Sequence, residues 1–287
     1  MLYLVLCILC CTSLLLFFKW FEKYDVNFLQ GIVFNYLTCA IIGAFFTDFS
    51  SVSISFYTPW FLYAIFLGSL FIGIFFLSGL TTKHLGISVG TISMKLGVVF
   101  PILIGLFVYH ENGSFYTIAG IISALLAVVF STVKFQKIQS QPKNVYLLPF
   151  IVWIGSGLCD SMVQYVSQKF FRSSAGFEAF VLIVFFFAFT LGGLAVVYQK
   201  QKLTLKNVLG GCLLGIPNYG SMYFLFKAID DLQTNHQMAS SVIFTLNNIS
   251  IVLLSSILAI VLFKEKLNRL NWLGLALAVL SIWLFSK

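Results

Sequence analysis

Lys95 and Asp160 are the charged side chains set deepest in apolar sequence. Lys95 stands inside the run 86–109 and Asp160 inside the run 146–167. Glu22, Asp25, Asp48, Glu111, Asp230, Asp231 and Glu265 fall at or beyond the ends of such runs, and Glu178 near the entrance of one. A charge at the centre of a bilayer costs at least about 2.5–3.5 kcal/mol on insertion scales, so each must face protein or water and find a partner. A Lys95–Asp160 pair is the economical expectation. Its chemistry is binding rather than bond making: the ammonium can hold an anionic group of a solute, and Asp160, released from its partner, is the candidate proton carrier.

Helical spacing gathers more polar groups around these two. Ser156, Asp160, Gln164 and Ser167 follow i, i+4, i+8, i+11 and form one stripe; Ser88, Thr91 and Lys95 form a second, and Ser241, Thr245, Asn248 and Ser255 a third. Asn35, Asn218 and Asn247 extend the set. The expected lining of a shared hydrated cavity is therefore Lys95, Asp160, Gln164, Ser156, Thr91, Asn35, Asn218, Thr245, Asn247 and Asn248. The competing expectation is mundane, since hydroxyls in membrane helices often bond only a neighbouring helix. An ion pair can likewise be a strut.

The elements that must position these residues follow from composition. Of 287 residues, 60% are hydrophobic and 9% charged, whereas a soluble domain carries about a quarter charged residues. With 33 Phe and 12 Tyr, the chain is also far from the composition of disordered segments. The formal charge of +8 resides in short connections between apolar runs, which is how membrane topology is written, and implies no nucleic-acid partner. Crossing about 30 Å of hydrocarbon takes about 20 residues. Ten runs of that order are present, at 2–19, 27–47, 60–80, 86–109, 115–133, 146–167, 177–198, 206–227, 237–263 and 270–286. Continuous apolar stretches such as Phe180 to Phe189 oppose a β-barrel, whose strands alternate. The expected fold class is an all-α integral membrane protein of ten transmembrane helices.

The polar stretch 134–145 divides these runs into 1–133 and 146–287, five helices each. Lys19 and Gly43 match Lys169 and Gly193 at one offset. At a slightly larger offset Thr91 matches Thr245, Glu111 matches Glu265 and Gly120 matches Gly274. Because five is odd, the two halves would enter the membrane from opposite sides, as two inverted five-helix repeats. Lysines concentrate beside the odd-numbered connections. The termini are thus expected to share one side of the membrane.

Two segments carry a resemblance to a known group. Phe107-Val-Tyr-His-Glu111 through Gly120-Ile-Ile-Ser-Ala124, and Val261-Leu-Phe-Lys-Glu265 through Gly274-Leu-Ala-Leu-Ala278, resemble the ends of the two repeats in EamA-type members of the drug/metabolite transporter superfamily. The resemblance implies ten helices, secondary transport of a small metabolite such as an amino-acid-like solute, and no bound cofactor. The basic residue often found near the start of the second and seventh helices there is absent; Gln30, Asn35 and Glu178 occupy those regions here. On this reading the partners are a small-molecule substrate, a proton as candidate coupling ion, and the lipid bilayer. The chain would act as a monomer or homodimer in a bacterial inner (plasma) membrane.

Other chemistries are poorly provided for. Cys7-x-x-Cys10-Cys11 has no second cysteine pair or nearby histidine to complete a metal site, so no metal is expected. Hydrolysis needs a nucleophile beside a general base, yet His84, His110 and His236 lie at run ends, so an intramembrane enzyme is not expected. An accessory membrane subunit is the alternative, and it requires no hydrated interior. Glu111 and Glu265 precede the fifth and tenth helices, whose positive ends they would favour. Pro101 is expected to kink the fourth helix.

Overall fold

The computed structural model describes residues 1–50, 57–85, 87–111, 114–132, 142–171, 176–200, 202–263 and 268–285. All regular structure within them is helical. The α-helices are α1 (Leu2–Lys23), α2 (Phe28–Phe46), α3 (Phe61–Leu85), α4 (Ile87–Lys95), α5 (Val99–Phe107), α6 (Phe115–Thr132), α7 (Leu148–Phe170), α8 (Phe177–Tyr198), α9 (Leu205–His236), α10 (Ser240–Phe263) and α11 (Arg269–Leu284). Each expected apolar run is thus occupied by helix, the fourth by α4 and α5 together. Residues 134–141 of the polar linker lie outside the described residues.

Local chemistry sets several helix starts. Asn27 caps α2 by accepting the Gln30 N–H at 3.1 Å. Asn268 and Asn271 satisfy each other's backbone N–H groups at the start of α11, which relieves two of the unpaired donors that open any helix. Gly176 precedes α8 with φ 107, a conformation that side chains with a Cβ rarely adopt.

Among the described residues, six helical segments are long and apolar enough to cross a membrane: Phe28–Phe46, Phe61–Thr82, Val89–Phe107, Val145–Phe170, Phe177–Tyr198 and Ser240–Leu262. Leu2–Phe18, Phe115–Ser131 and Arg269–Leu284 are apolar but shorter. The 32-residue α9 carries Lys206, Lys227, Asp230 and Asp231, which dilute its apolar character. The chain is a membrane protein on these six segments.

The fourth run is not one regular helix. α4 ends at Lys95, a single 3₁₀ turn covers Leu96–Val98, and α5 begins at Val99. Pro101 accounts for the irregularity, because its nitrogen cannot donate to the carbonyl four residues earlier, that of Gly97. The expected kink is therefore a short change of helix type.

The chain forms two compact units, and each draws on both sequence halves. The first comprises residues 1–76 and 165–231, the second 77–164 and 232–287. In the first unit α2 lies along α8, where Gly43 sits beside Leu182 and Gly192 beside Val33 and Ile72. Gly211 and Gly215 of α9 abut the α2 backbone at Gly31 and Asn35, so that a Cβ at 215 would lie 2.7 Å from the Asn35 oxygen. Small residues are what allow helix backbones in lipid to approach this closely. Tyr36 stacks on Phe185 at 5.8 Å between centroids, and Trp60, Phe171, Phe180 and Phe226 form a further aromatic cluster.

In the second unit α6 lies along α11 and α5 along α10. Gly274 rests on the backbone of Phe130 and Ser131. The Ser123 hydroxyl donates to the Leu277 carbonyl at 2.9 Å, Ser281 to Gly120 at 2.8 Å, and the Asn271 amide to Phe130 and Ser131, each at 3.0 Å. Ala124, Ala127, Val128, Ile249, Val252 and Ala278 form the apolar core beside these bonds. Close helix contacts thus occur at both Gly211-xxx-Gly215 and Gly274-xxx-Ala278.

Candidate functional site

Eight of the ten expected lining residues belong to the second unit: Thr91 and Lys95 on α4, Ser156, Asp160 and Gln164 on α7, and Thr245, Asn247 and Asn248 on α10. Lys95 terminates α4, where the negative end of the helix favours an ammonium. The residue is partly buried, and its Nζ donates to Asn248 Oδ1 at 3.5 Å. The orientation of that amide is fixed from the other side: Asn248 Nδ2 donates to the Phe244 carbonyl at 3.1 Å, which leaves Oδ1 as the acceptor offered to Lys95.

Asp160 is partly buried one helical turn beyond Ser156, and Lys95 is the charge that acts on it. Among the described residues no Lys95–Asp160 ion pair within 4.0 Å is formed. The expected direct pair is thus replaced by a long bond from the ammonium to a neutral amide. Such a bond leaves the ammonium incompletely partnered and its remaining hydrogens open to another acceptor.

The break in the fourth run is held against α7. Trp153 Nε1 donates to the Leu96 carbonyl at 3.1 Å, and Gly97 packs on Ser156 and Gly157. Ser156 donates to the Trp153 carbonyl at 3.0 Å and Thr245 to the Ser241 carbonyl at 2.7 Å. The Thr245 hydroxyl thus serves its own helix, while Ser156 also reaches the Ser93 carbonyl of α4 at 3.5 Å, a bond to a neighbouring helix of the kind the mundane alternative describes. Gln164, fully buried, donates from Nε2 to Ser240 Oγ at 2.6 Å, and its Oε1 has no partner among the described residues. Buried and unpartnered as well are Ser161 Oγ, Ser241 Oγ and Asn247 Oδ1. Side-chain oxygens of this kind are costly unless something bonds them. The side chain of Ser88 lies outside the described residues.

Asn35 and Asn218 belong to the first unit, where Asn218 Nδ2 donates to Asn35 Oδ1 at 3.0 Å. Nearby, Cys39 Sγ donates to the Gly215 carbonyl at 3.3 Å, and Asn207 Nδ2 donates to Gln30 Oε1 at 2.7 Å. These polar groups bond one another across α2 and α9.

Glu111 has a different place from the one expected. Its carboxylate reaches α10, accepting the Ser240 N–H at 2.7 Å and the Ser240 hydroxyl at 2.5 Å through Oε1, and the Ser241 N–H at 3.1 Å through Oε2. The start of α6 is served by Ser114, whose Oγ accepts the Thr117 N–H at 3.1 Å, so α6 has no need of Glu111. Glu265 lies outside the described residues. Nothing local in the sequence announces a bond to a helix 129 residues away.

No family model matches the chain. An uncharacterized protein of Haemophilus influenzae is 27% identical over 291 residues, covering 98% of this chain and 96% of that protein. A protein known from a crystal structure has a similar fold, with a TM-score of 0.76 at 16% identity over 99% of this chain and 94% of that one. At that identity the likeness concerns the fold alone.

Proposed function

We propose that the chain is a secondary transporter that moves a small metabolite, amino-acid-like or otherwise amphipathic, by alternating access through the polar face formed by α4, α7 and α10. The observation that carries this reading is Lys95: an ammonium inside an apolar run, at a change of helix type, with a neutral amide as its hydrogen-bond acceptor. Charges at such depth are functional by default, and transporters place binding groups where membrane helices are interrupted. Lys95 would hold an anionic group of the solute, with Asp160 as proton carrier. No cofactor enters this scheme.

The proposal includes ten spanning helices in two inverted repeats, in the manner of the EamA-type transporters. In its support, α2 packs on α8, α5 on α10 and α6 on α11, which under that repeat are the second helix with the seventh, the fourth with the ninth and the fifth with the tenth. Counterparts meet in this way when two repeats are related by a twofold axis. A relative in Haemophilus influenzae is in keeping with a bacterial inner membrane.

Counterflow of labelled metabolites into liposomes holding the purified protein tests the reading. Saturable flux of at least one solute, abolished by Lys95→Ala, is expected. Flux no greater than in protein-free liposomes across a broad screen, or equal flux in Lys95→Ala, would overturn it.

A further inference from the structure

Ser240 is a junction of three segments. Its hydroxyl donates to Glu111 Oε1 and therefore accepts from Gln164 Nε2, while its backbone N–H also bonds Glu111. Glu111 belongs to the connection after α5, Gln164 to α7, and Ser240 opens α10. Because the Ser240 hydrogen is committed to the carboxylate, Gln164 must present its N–H₂ to Ser240, and its fully buried Oε1 is left at the junction without a partner among the described residues. Gly105 of α5 leaves the necessary room, since a Cβ there would press on the Glu111 carboxylate and lie 2.9 Å from Ser241 Cβ.

The two helices joined here carry the polar groups of the site. Asp160 lies one turn from Gln164 on α7, and Asn248, the acceptor for Lys95, lies two turns beyond Ser240 on α10. A carboxylate at a helix N-terminus pairs the open N–H groups and complements the positive end of the helix; neutralisation removes the second effect and weakens the first, because the bonds are no longer charge-assisted. A shift of α10 along its axis by about 1.5 Å, the rise of one residue, would remove Asn248 Oδ1 from the already long reach of Lys95.

We infer that Glu111 is a positioning residue for the Lys95 site: its carboxylate latches the first turn of α10 and, through Ser240 and Gln164, sets α10 against α7 so that Asn248 meets the ammonium. This role rests on the transport reading for its consequence, but its physical content can be measured without transport. Neither Glu111 nor Ser240 need touch the solute.

The test compares wild-type protein with Glu111→Gln, Glu111→Asp and Ser240→Ala in the same liposomes. Three quantities are read: hydrogen exchange at the Ser240 and Ser241 amides, the acylation rate of Lys95 by mass spectrometry with exposed Lys206 as internal reference, and KM and kcat for any transported solute. In Glu111→Gln, exchange at those amides should rise about tenfold or more, the scale of a lost charge-assisted cap. Lys95 acylation should change several-fold relative to Lys206, and KM should rise with a smaller change in kcat. Glu111→Asp should recover part of each effect. Ser240→Ala keeps the backbone cap and loses the link to Gln164, so Lys95 acylation should change while exchange at 241 stays near wild type. Unchanged Lys95 acylation in Glu111→Gln, with amide exchange demonstrably raised, would overturn the proposal. A changed Lys95 rate in protein that transports nothing would uphold the latch and refute the transport reading instead.

Discussion

Two asparagine-centred regions of this molecule look alike in sequence and differ in structure. Along α2 and α9, Asn218 bonds Asn35, Asn207 bonds Gln30 and Cys39 bonds a carbonyl exposed by Gly215. Along α4, α7 and α10, Asn248 is the acceptor of a long bond from Lys95, and Gln164, Ser161, Ser241 and Asn247 each leave a buried side-chain oxygen without a partner among the described residues. The amides named on α2 and α9 bond one another, with the Tyr219 hydroxyl of α9 a buried oxygen there that has no partner among the described residues; the second region has four such oxygens. On the transport reading, the groups left without a partner in the second region are the ones available to a solute.

The sharpest way to break the first region is steric. Gly215→Val should cost about 3 kcal/mol or prevent folding, because its Cβ would meet the Asn35 oxygen and the Thr38 side chain and α9 cannot yield without losing the seam. Gly73→Ala, at a glycine with open space around it, should leave thermal stability unchanged or slightly raised. Denaturation of the detergent-solubilised variants compares them directly.

A comparable effect on the second region should appear in function and spare the fold. Lys95→Ala is expected to lower solute flux about 100-fold, equivalent to about 2.7 kcal/mol, with a melting temperature close to wild type. A large fall in melting temperature would instead mark Lys95 as a strut.

How much of this contrast is legible in the sequence depends on the distance over which each signal acts. Apolar run length locates the helices, because each run satisfies its own backbone in lipid and needs no partner to be helical. The α7 stripe is legible for the same reason, since i, i+4 spacing is a property of one helix. The change of helix type after Lys95 is announced by Pro101, whose missing N–H acts within one turn. By contrast, the bond between Asn35 and Asn218 is not legible, since each partner is contributed by another helix. Glu111 reads as the cap of the helix that follows it, whereas Ser114 has taken that position and the carboxylate serves α10. Pairings across 129 or 183 residues leave no local pattern.

An intermediate effect separates the two asparagines by type of consequence. Asn218→Ala should reduce stability by about 0.5–1.5 kcal/mol and leave transport within about twofold, as expected for an interhelical bond in a membrane protein. Asn248→Ala should do the reverse, raising KM several-fold with little change in stability, because it removes the acceptor of the Lys95 ammonium. Measured melting curves and initial rates on the same preparations would expose any exchange of roles. The smallest effect is expected at Ser123→Ala, which deletes the bond to Leu277 within the α6–α11 contact and should cost about 0.6 kcal/mol without a change in KM.

The central claim, that water reaches the polar face of α4 and α10 and is kept from the seam of α2 and α9, is tested most directly by thiol accessibility. Single cysteines at Thr91, Asn248, Asn35 and Asn218 would be introduced into protein whose own six cysteines are replaced and treated in liposomes with a membrane-impermeant thiol reagent. The account predicts rapid modification at 91 and 248, slowed by a transported solute, and none at 35 and 218. Equal rates at all four positions, or modification confined to 35 and 218, would contradict it.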